Sequence, residues 1–359
     1  MYLDDAGSAP VLPEVREAAR TVPDGNPSSP HAEGRAARRA LDHARDIAAA
    51  ALGGTRTEIT FVASGTEAVN LAMFGATRRG RVVTWAAEHQ AVLGAARRMQ
   101  ADRREVVIAR VDKDARVDLD AIRPGTAFVS VGLANNEVGT IQPVEDVIER
   151  AHDVGALVHV DGCAGPRWMP VPAGADLVSF SGHKLGAGRG GLLLVRDRVR
   201  LDPLLFGGPQ EYGRRAGIED VGCAVAMAAA LRTVASQRET RATTAARQSY
   251  LLRSVLEELG GTLTGGEPRL PSFATCASAG RRGEDMLLAL DLAGLAVSSG
   301  SACASGSLDP SHVLLAMGLS LEQALGSLRL SVTYDTTDEE VSRATEILRT
   351  VLGRVPARG

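Results

Sequence analysis

The sequence predicts an α/β protein, with a mostly parallel β-sheet sandwiched by helices and a smaller α+β domain beside it. Three observations point there. Short aliphatic runs recur at 58–62, 81–85, 105–109, 127–132, 156–160, 177–180 and 191–195. Stretches of helical character separate several of them, at 68–76, 90–100 and 144–154. Apolar strands alternating with helices indicate a parallel sheet covered on both faces. From about residue 199 the alternation ends, and the pattern turns to long helices followed by mixed short elements. We expect a large domain over 16–245 and a small one built from 1–15 and 246–359.

Each element has a local reason. Residues 35–52 carry alanine, leucine and arginine at helical density. The strand at 58–62 breaks at Ser64-Gly65-Thr66-Glu67, where a helix begins. The loop Phe206-Gly207-Gly208-Pro209-Gln210 leads to two helical patterns, 221–234 and 241–259, and Gly260-Gly261 stops the second. The first four residues read as a strand lying away from the large sheet, and residues 353–359 as a frayed tail.

Composition narrows the function. A chain of 359 residues with 45% apolar content can bury a large core, and 3% aromatics means packing by small aliphatics. A net charge of −3 gives no argument for direct nucleic-acid binding. The apolar run at 221–231 is too short to span a bilayer and reads as a buried helix, so no membrane association is expected. The opening Met1-Tyr2-Leu3-Asp4-Asp5 has no signal-like segment. Cys163, Cys223, Cys276 and Cys303 form no CxxC unit, so neither a disulfide framework nor a metal site is expected, and a reducing cytoplasm fits.

Lys184 is the first candidate for chemistry. It sits in Ser179-Phe180-Ser181-Gly182-His183-Lys184 at the end of a strand, boxed in by small residues, where an amine can bond a carbonyl. Gly65 and Thr66 open a helix and could hold an anion with backbone N–H groups, or the turn could be a plain cap with Glu67 as its acid. Ser181 could add a contact to the same anion. Asp161 ends the strand 157–160, where acids point into the ligand crevice of parallel sheets, or it caps the next turn. His89 follows a strand and could stack on a flat ligand or exchange protons, or be structural. Asn136 could donate to a ring oxygen, although asparagine pairs in turns often bond only backbone. Cys303 lies in a run of small polar residues, 298–307, suited to a mobile loop. Cys163 could line the pocket, and Cys223 reads as core. Arg329 sits inside a strand, where it needs a substrate carboxylate or an internal ion pair.

Together these segments resemble the cysteine desulfurases of the class V aminotransferase-like, pyridoxal-phosphate-dependent family. The matches are Tyr2-Leu3-Asp4, Asn26-Pro27-Ser28-Ser29-Pro30-His31, Ser64-Gly65-Thr66-Glu67, Glu88-His89, Asn135-Asn136-Glu137-Val138-Gly139, His159-Val160-Asp161, the Lys184 segment, Gln210-Glu211, residues 298–303 and Arg329. The resemblance implies an aspartate aminotransferase-like fold and a pyridoxal 5'-phosphate cofactor bound covalently by Lys184. Asp161 would hold the pyridine nitrogen and His89 would stack on the ring. Gly65, Thr66, Ser181 and His183 would hold the phosphate. Asn136 would lie near the phenolic oxygen or the substrate, Arg329 would bind the carboxylate of L-cysteine, and Cys303 would be the nucleophile. The residues around Cys303 look like the branch with a longer catalytic loop, whose members hand sulfur to protein acceptors. Family members are homodimers.

The implied reaction converts L-cysteine to L-alanine and leaves a persulfide on Cys303. Two departures stand out. The family usually has glutamine three residues beyond the ring acid, where this chain has Ala164, and threonine where it has Ile218, a position that reaches the partner subunit's phosphate. Weaker cofactor binding or slower turnover than in a typical member is therefore expected. A selenocysteine lyase or another pyridoxal-dependent C–S lyase is the alternative, and a non-catalytic partner protein a more distant one.

Overall fold

The computed structural model describes residues 1–77, 79–299 and 309–353. Its large sheet contains β1 (Ile59–Val62), β2 (Arg81–Trp85), β3 (Val106–Ala109), β4 (Thr126–Gly132), β5 (Leu157–Asp161), β6 (Leu177–Ser181) and β7 (Gly191–Val195). They lie in the order β1-β7-β6-β5-β4-β2-β3. β3, β2, β4, β5 and β6 run parallel, while β7 is antiparallel to both neighbours. β5, β6 and β7 are buried almost throughout, as unbroken apolar runs require when helices cover both faces.

The helices are α1 (Pro13–Ala19), α2 (Ala32–Leu52), α3 (Gly65–Ala76), α4 (Gln90–Ala101), α5 (Val144–Asp153), the single turn α6 (Gly182–Leu185) and α7 (Val221–Glu258). The two helical patterns expected at 221–234 and 241–259 form one helix of 38 residues. The intervening Ala235-Ser236-Gln237-Arg238-Glu239-Thr240 holds no glycine or proline, and nothing in it interrupts the hydrogen-bond ladder. α7 packs on α1 and α2, on the strand Phe273–Ala277 and on the helix Asp338–Leu352.

A second, antiparallel sheet, β10-β9-β8, joins β8 (Thr262–Leu263), β9 (Phe273–Ala277) and β10 (Ser327–Ser331). Around it lie α8 (Gly283–Leu292), α9 (His312–Ala316), α10 (Leu321–Leu325) and α11 (Asp338–Leu352). The N-terminal segment bridges to this region, through Tyr2 to Ala296 and Asp4 to Ser331, away from the large sheet as expected. Among the described residues no helix is long and apolar enough to cross a membrane.

Candidate active site

The carboxyl edge of the large sheet gathers most of the candidate residues, because β1, β2, β4, β5 and β6 all point there. A cleft of about 200 Å³ is lined by Ser64, Gly65, Thr66, His89, Asn136, Asp161, Ser181, His183, Lys184 and Arg329, with Asp4, Gly7 and Cys163. Of the residues singled out in the sequence, Cys303 lies outside the described residues.

The Ser64 turn is a cap with Glu67 as its acid, and the same turn lines the cleft. Ser64 caps α3 by accepting from Glu67 N–H at 3.1 Å, and Glu67 in turn accepts from Ala63 N–H at 2.8 Å. Gly65 then brings bare backbone to the cleft wall. A Cβ there would lie 2.6 Å from Cys163 Sγ and 2.8 Å from Ser181 Cβ, so only glycine fits this cradle at the positive end of a 12-residue helix. Beside it the Ser181 hydroxyl meets His183 Nδ1 at 2.8 Å. Desolvation against the wall, then the charge of Lys184 and the nearby His89 ring, push His183 down to about 4, so its ring is neutral at pH 7.

Lys184 is carried by α6, which Gly186 ends with a φ of 79°. Among the described residues its amine makes no hydrogen bond or ion pair. Burial, then the charge of Lys184, lower the His89 pKa. Ala91 N–H donates to His89 Nδ1 at 3.1 Å, which leaves the proton of the neutral ring on Nε2.

Asp161 is buried, and burial alone would raise its pKa. His89, His159 and the thiol and N–H of Cys163 more than offset this, so the carboxyl lies below its ordinary value and is ionised. Oδ1 accepts from Cys163 N–H at 3.0 Å and from the Ser179 hydroxyl at 3.1 Å. Ser179 also meets His159 Nε2 at 3.2 Å, and His159 Nδ1 meets the Ser130 hydroxyl at 2.9 Å. This row across β4, β5 and β6 fixes the Asp161 rotamer. Sequence reasoning quoted His159 only as part of a motif and gave Ser179 no role. The two-residue spacing of His159 and Asp161, which puts them on one face of β5, was the available signal.

Asn135 and Asn136 divide their work. Asn135 Oδ1 accepts from Glu137 N–H at 2.9 Å and Val138 N–H at 3.0 Å, the backbone-only role weighed for the pair. Asn136 is buried, and among the described residues its side chain bonds nothing, so it is available to the cleft. Arg329 is 3% exposed and meets an internal partner, Asp4, at 2.9 Å.

Ala164 lies between two small cavities of about 20 Å³, each large enough for one water. The first is walled by Glu88, Asn135, Gln142 and Asp161, the second by Asp5 and Arg167. Ile218 is 62% exposed.

Glu88 was missed as an independent group. Its carboxyl is buried and accepts from Gly132 N–H, and burial, with the charge of Asp161 adding, pushes its pKa up to about 8. The folded chain therefore holds this proton more tightly than the unfolded one. The associated stability is fully present below the unfolded value of 4.5 and is lost as pH rises through 8. Glu88→Gln should lie within ~1 kcal/mol of the parent near pH 5 and exceed it by roughly 3 kcal/mol near pH 9. Urea unfolding of the cofactor-free protein at the two pH values reads this difference. A constant difference between variant and parent would contradict a neutral Glu88.

The mixed seven-stranded sheet with a smaller β-sheet region, and a lysine and an acid converging at its carboxyl edge, define the class V aminotransferase fold. The aminotransferase class-V family model matches residues 1–344. A cysteine desulfurase of Gluconacetobacter diazotrophicus is 40% identical over 378 residues, covering 99% of this chain and 94% of the relative. A solved NifS-like protein superposes with a TM-score of 0.91 at 30% identity, covering 98% of this chain and 99% of that one. The solved SspA in complex with cysteine gives a TM-score of 0.81 at 28% identity, over 94% of this chain and 99% of that one. The chain belongs to the class-V aminotransferase family, within its cysteine desulfurase, NifS-like group.

Proposed function

We propose that the protein is a pyridoxal-phosphate-dependent cysteine desulfurase that converts L-cysteine to L-alanine and passes the sulfur to a protein acceptor through Cys303. The observation that carries this is the convergence of the Lys184 amine, an ionised buried Asp161 and the Gly65 cradle in one cleft, with the Arg329 guanidinium in its wall.

The donor set fits pyridoxal 5'-phosphate. Backbone N–H groups at Gly65 and Thr66, the hydroxyls of Thr66 and Ser181, and His183 would hold its phosphate. Asp161 would hold the ring nitrogen, His89 would cover one ring face, and Asn136 would reach the phenolic oxygen. When bound, the cofactor supplies an electron sink for a carbanion at the substrate Cα. The Lys184 amine, besides carrying the cofactor, takes the Cα proton of the substrate. Arg329 binds the substrate carboxylate and orients the thiol side chain.

Cys303 attacks as a thiolate. An ordinary thiol pKa of about 8.5 leaves a minority ionised near pH 7, so a neighbouring group must accept its proton. The new S–S bond forms as the substrate Cβ–S bond breaks, and the carbon skeleton gains protons to become alanine. The sum is L-cysteine plus Cys303 thiol giving L-alanine plus Cys303 persulfide, balanced in atoms and electrons. The exposed Leu204, Leu205, Phe206, Tyr212 and Ile218 of one connecting segment favour a homodimer whose partner covers this face.

Incubation of the loaded protein with L-cysteine and a reductant should release alanine and sulfide in equal amounts. Pyruvate in place of alanine would instead mark a C–S lyase. Ala164→Gln should fill the adjoining cavity and slow cofactor loss on dialysis by about fivefold, one added hydrogen bond being worth about 1 kcal/mol. Unchanged or faster loss would remove Ala164 as the weak point.

A further inference from the structure

Asp4 and Arg329 both line the cleft that holds Lys184. Arg329 Nη2 donates to Asp4 Oδ1 at 2.9 Å and Nη1 to the Asn136 carbonyl at 2.8 Å. Its Nε–H is buried and has no partner among the described residues. A guanidinium with an idle buried donor suits a carboxylate that can engage two of its N–H groups at once.

The Asp4 carboxylate is presented to Arg329 by a firmly held backbone. The Asp4 carbonyl accepts from Gly7 N–H at 3.0 Å, Ser8 N–H at 3.2 Å and the Tyr2 hydroxyl at 3.1 Å. A Cβ at Gly7 would lie 2.5 Å from Asp4 Oδ2, so glycine there leaves room for the carboxylate. Arg329 is its only side-chain hydrogen-bond partner among the described residues, and the Asp4 side chain is 25% exposed.

We propose that Asp4 is a built-in competitor for Arg329: it occupies the guanidinium that an amino-acid carboxylate needs, and the ligand must displace it to bind. This rests on the reading of the cleft as an amino-acid site. The device is also a filter. A ligand with its own carboxylate restores the partner that Arg329 loses, whereas an amine lacking one leaves the Asp4–Arg329 pair closed. Both carboxylates are negative, so they cannot share the guanidinium without repulsion.

The test compares the pyridoxal-phosphate-loaded parent, Asp4→Asn and Asp4→Ala by equilibrium titration with L-alanine and with cysteamine, which is cysteine without its carboxylate. The readout is the absorbance of the bound cofactor, with thermal melting as the check on folding. Removing the competitor should tighten L-alanine by about fivefold, as expected for a partly exposed ion pair, and leave cysteamine unchanged. Weaker or equal L-alanine binding in both variants overturns the competitor role, since Asp4 would then only orient Arg329. Equal tightening of both probes overturns it as well, because the effect would not run through the carboxylate. A parent that responds to neither probe overturns the amino-acid reading of the cleft and the proposal with it.

Discussion

Lys184→Ala should lower alanine formation from L-cysteine by on the order of 10⁴-fold or more, the largest effect expected of any residue in the cleft. Two functions fall on one amine. On the proposed mechanism it carries the cofactor covalently and takes the Cα proton of the substrate. General-base catalysis alone contributes roughly 10²–10⁴-fold, and loss of the covalent attachment adds to that. Borohydride reduction followed by peptide mapping gives a readout independent of rate. The parent should carry the cofactor on the Lys184 peptide and the variant should carry none. A variant within tenfold of the parent would remove Lys184 from the mechanism.

Asp161→Asn comes next, with an expected loss of roughly 10³-fold in rate and cofactor that washes out on dialysis. The substitution keeps the volume and removes the charge. In the parent, the Ser130–His159–Ser179 row holds Oδ1, and nearby His89 and His159 help keep the carboxyl ionised despite burial. An amide in the same place lacks the negative charge that keeps a pyridine nitrogen protonated. A retained, spectroscopically normal cofactor in the variant would show that the ring nitrogen is served by another group.

The legible part of the fold was the part with local causes. Seven aliphatic runs became the seven strands of the large sheet, and the turns after β1, β2, β4, β5 and β6 placed the cleft. The capping acid Glu67 and the turn-forming Asn135 were readable because their bonds are local. What escaped depends on lateral or distant contacts. His159 and Ser179 act on Asp161 across neighbouring strands, and the register that aligns them is not written in either segment. Asp4 meets Arg329 across a separation of 325 residues. The continuous α7 was split in two because its middle is polar, although polarity without glycine or proline does not end a helix. Glu88 was read as a neighbour of His89, and its neutrality arises only from burial in the fold, with the charge of Asp161 adding.

On the proposed mechanism sulfur leaves L-cysteine by transfer to a thiol of this chain. Peptide mass spectrometry after brief exposure of the loaded protein to L-cysteine, without reductant, tests it most directly. One added sulfur atom is expected on the Cys303 peptide and none on those of Cys163, Cys223 or Cys276. The described thiols are held protonated by burial, with Cys223 and Cys276 raised to about 11 and about 12 and Cys163 well above its ordinary value. Cys303→Ala should form no persulfide and release no sulfur above background. Sulfur release from Cys303→Ala at the parent's rate would rule out transfer through Cys303.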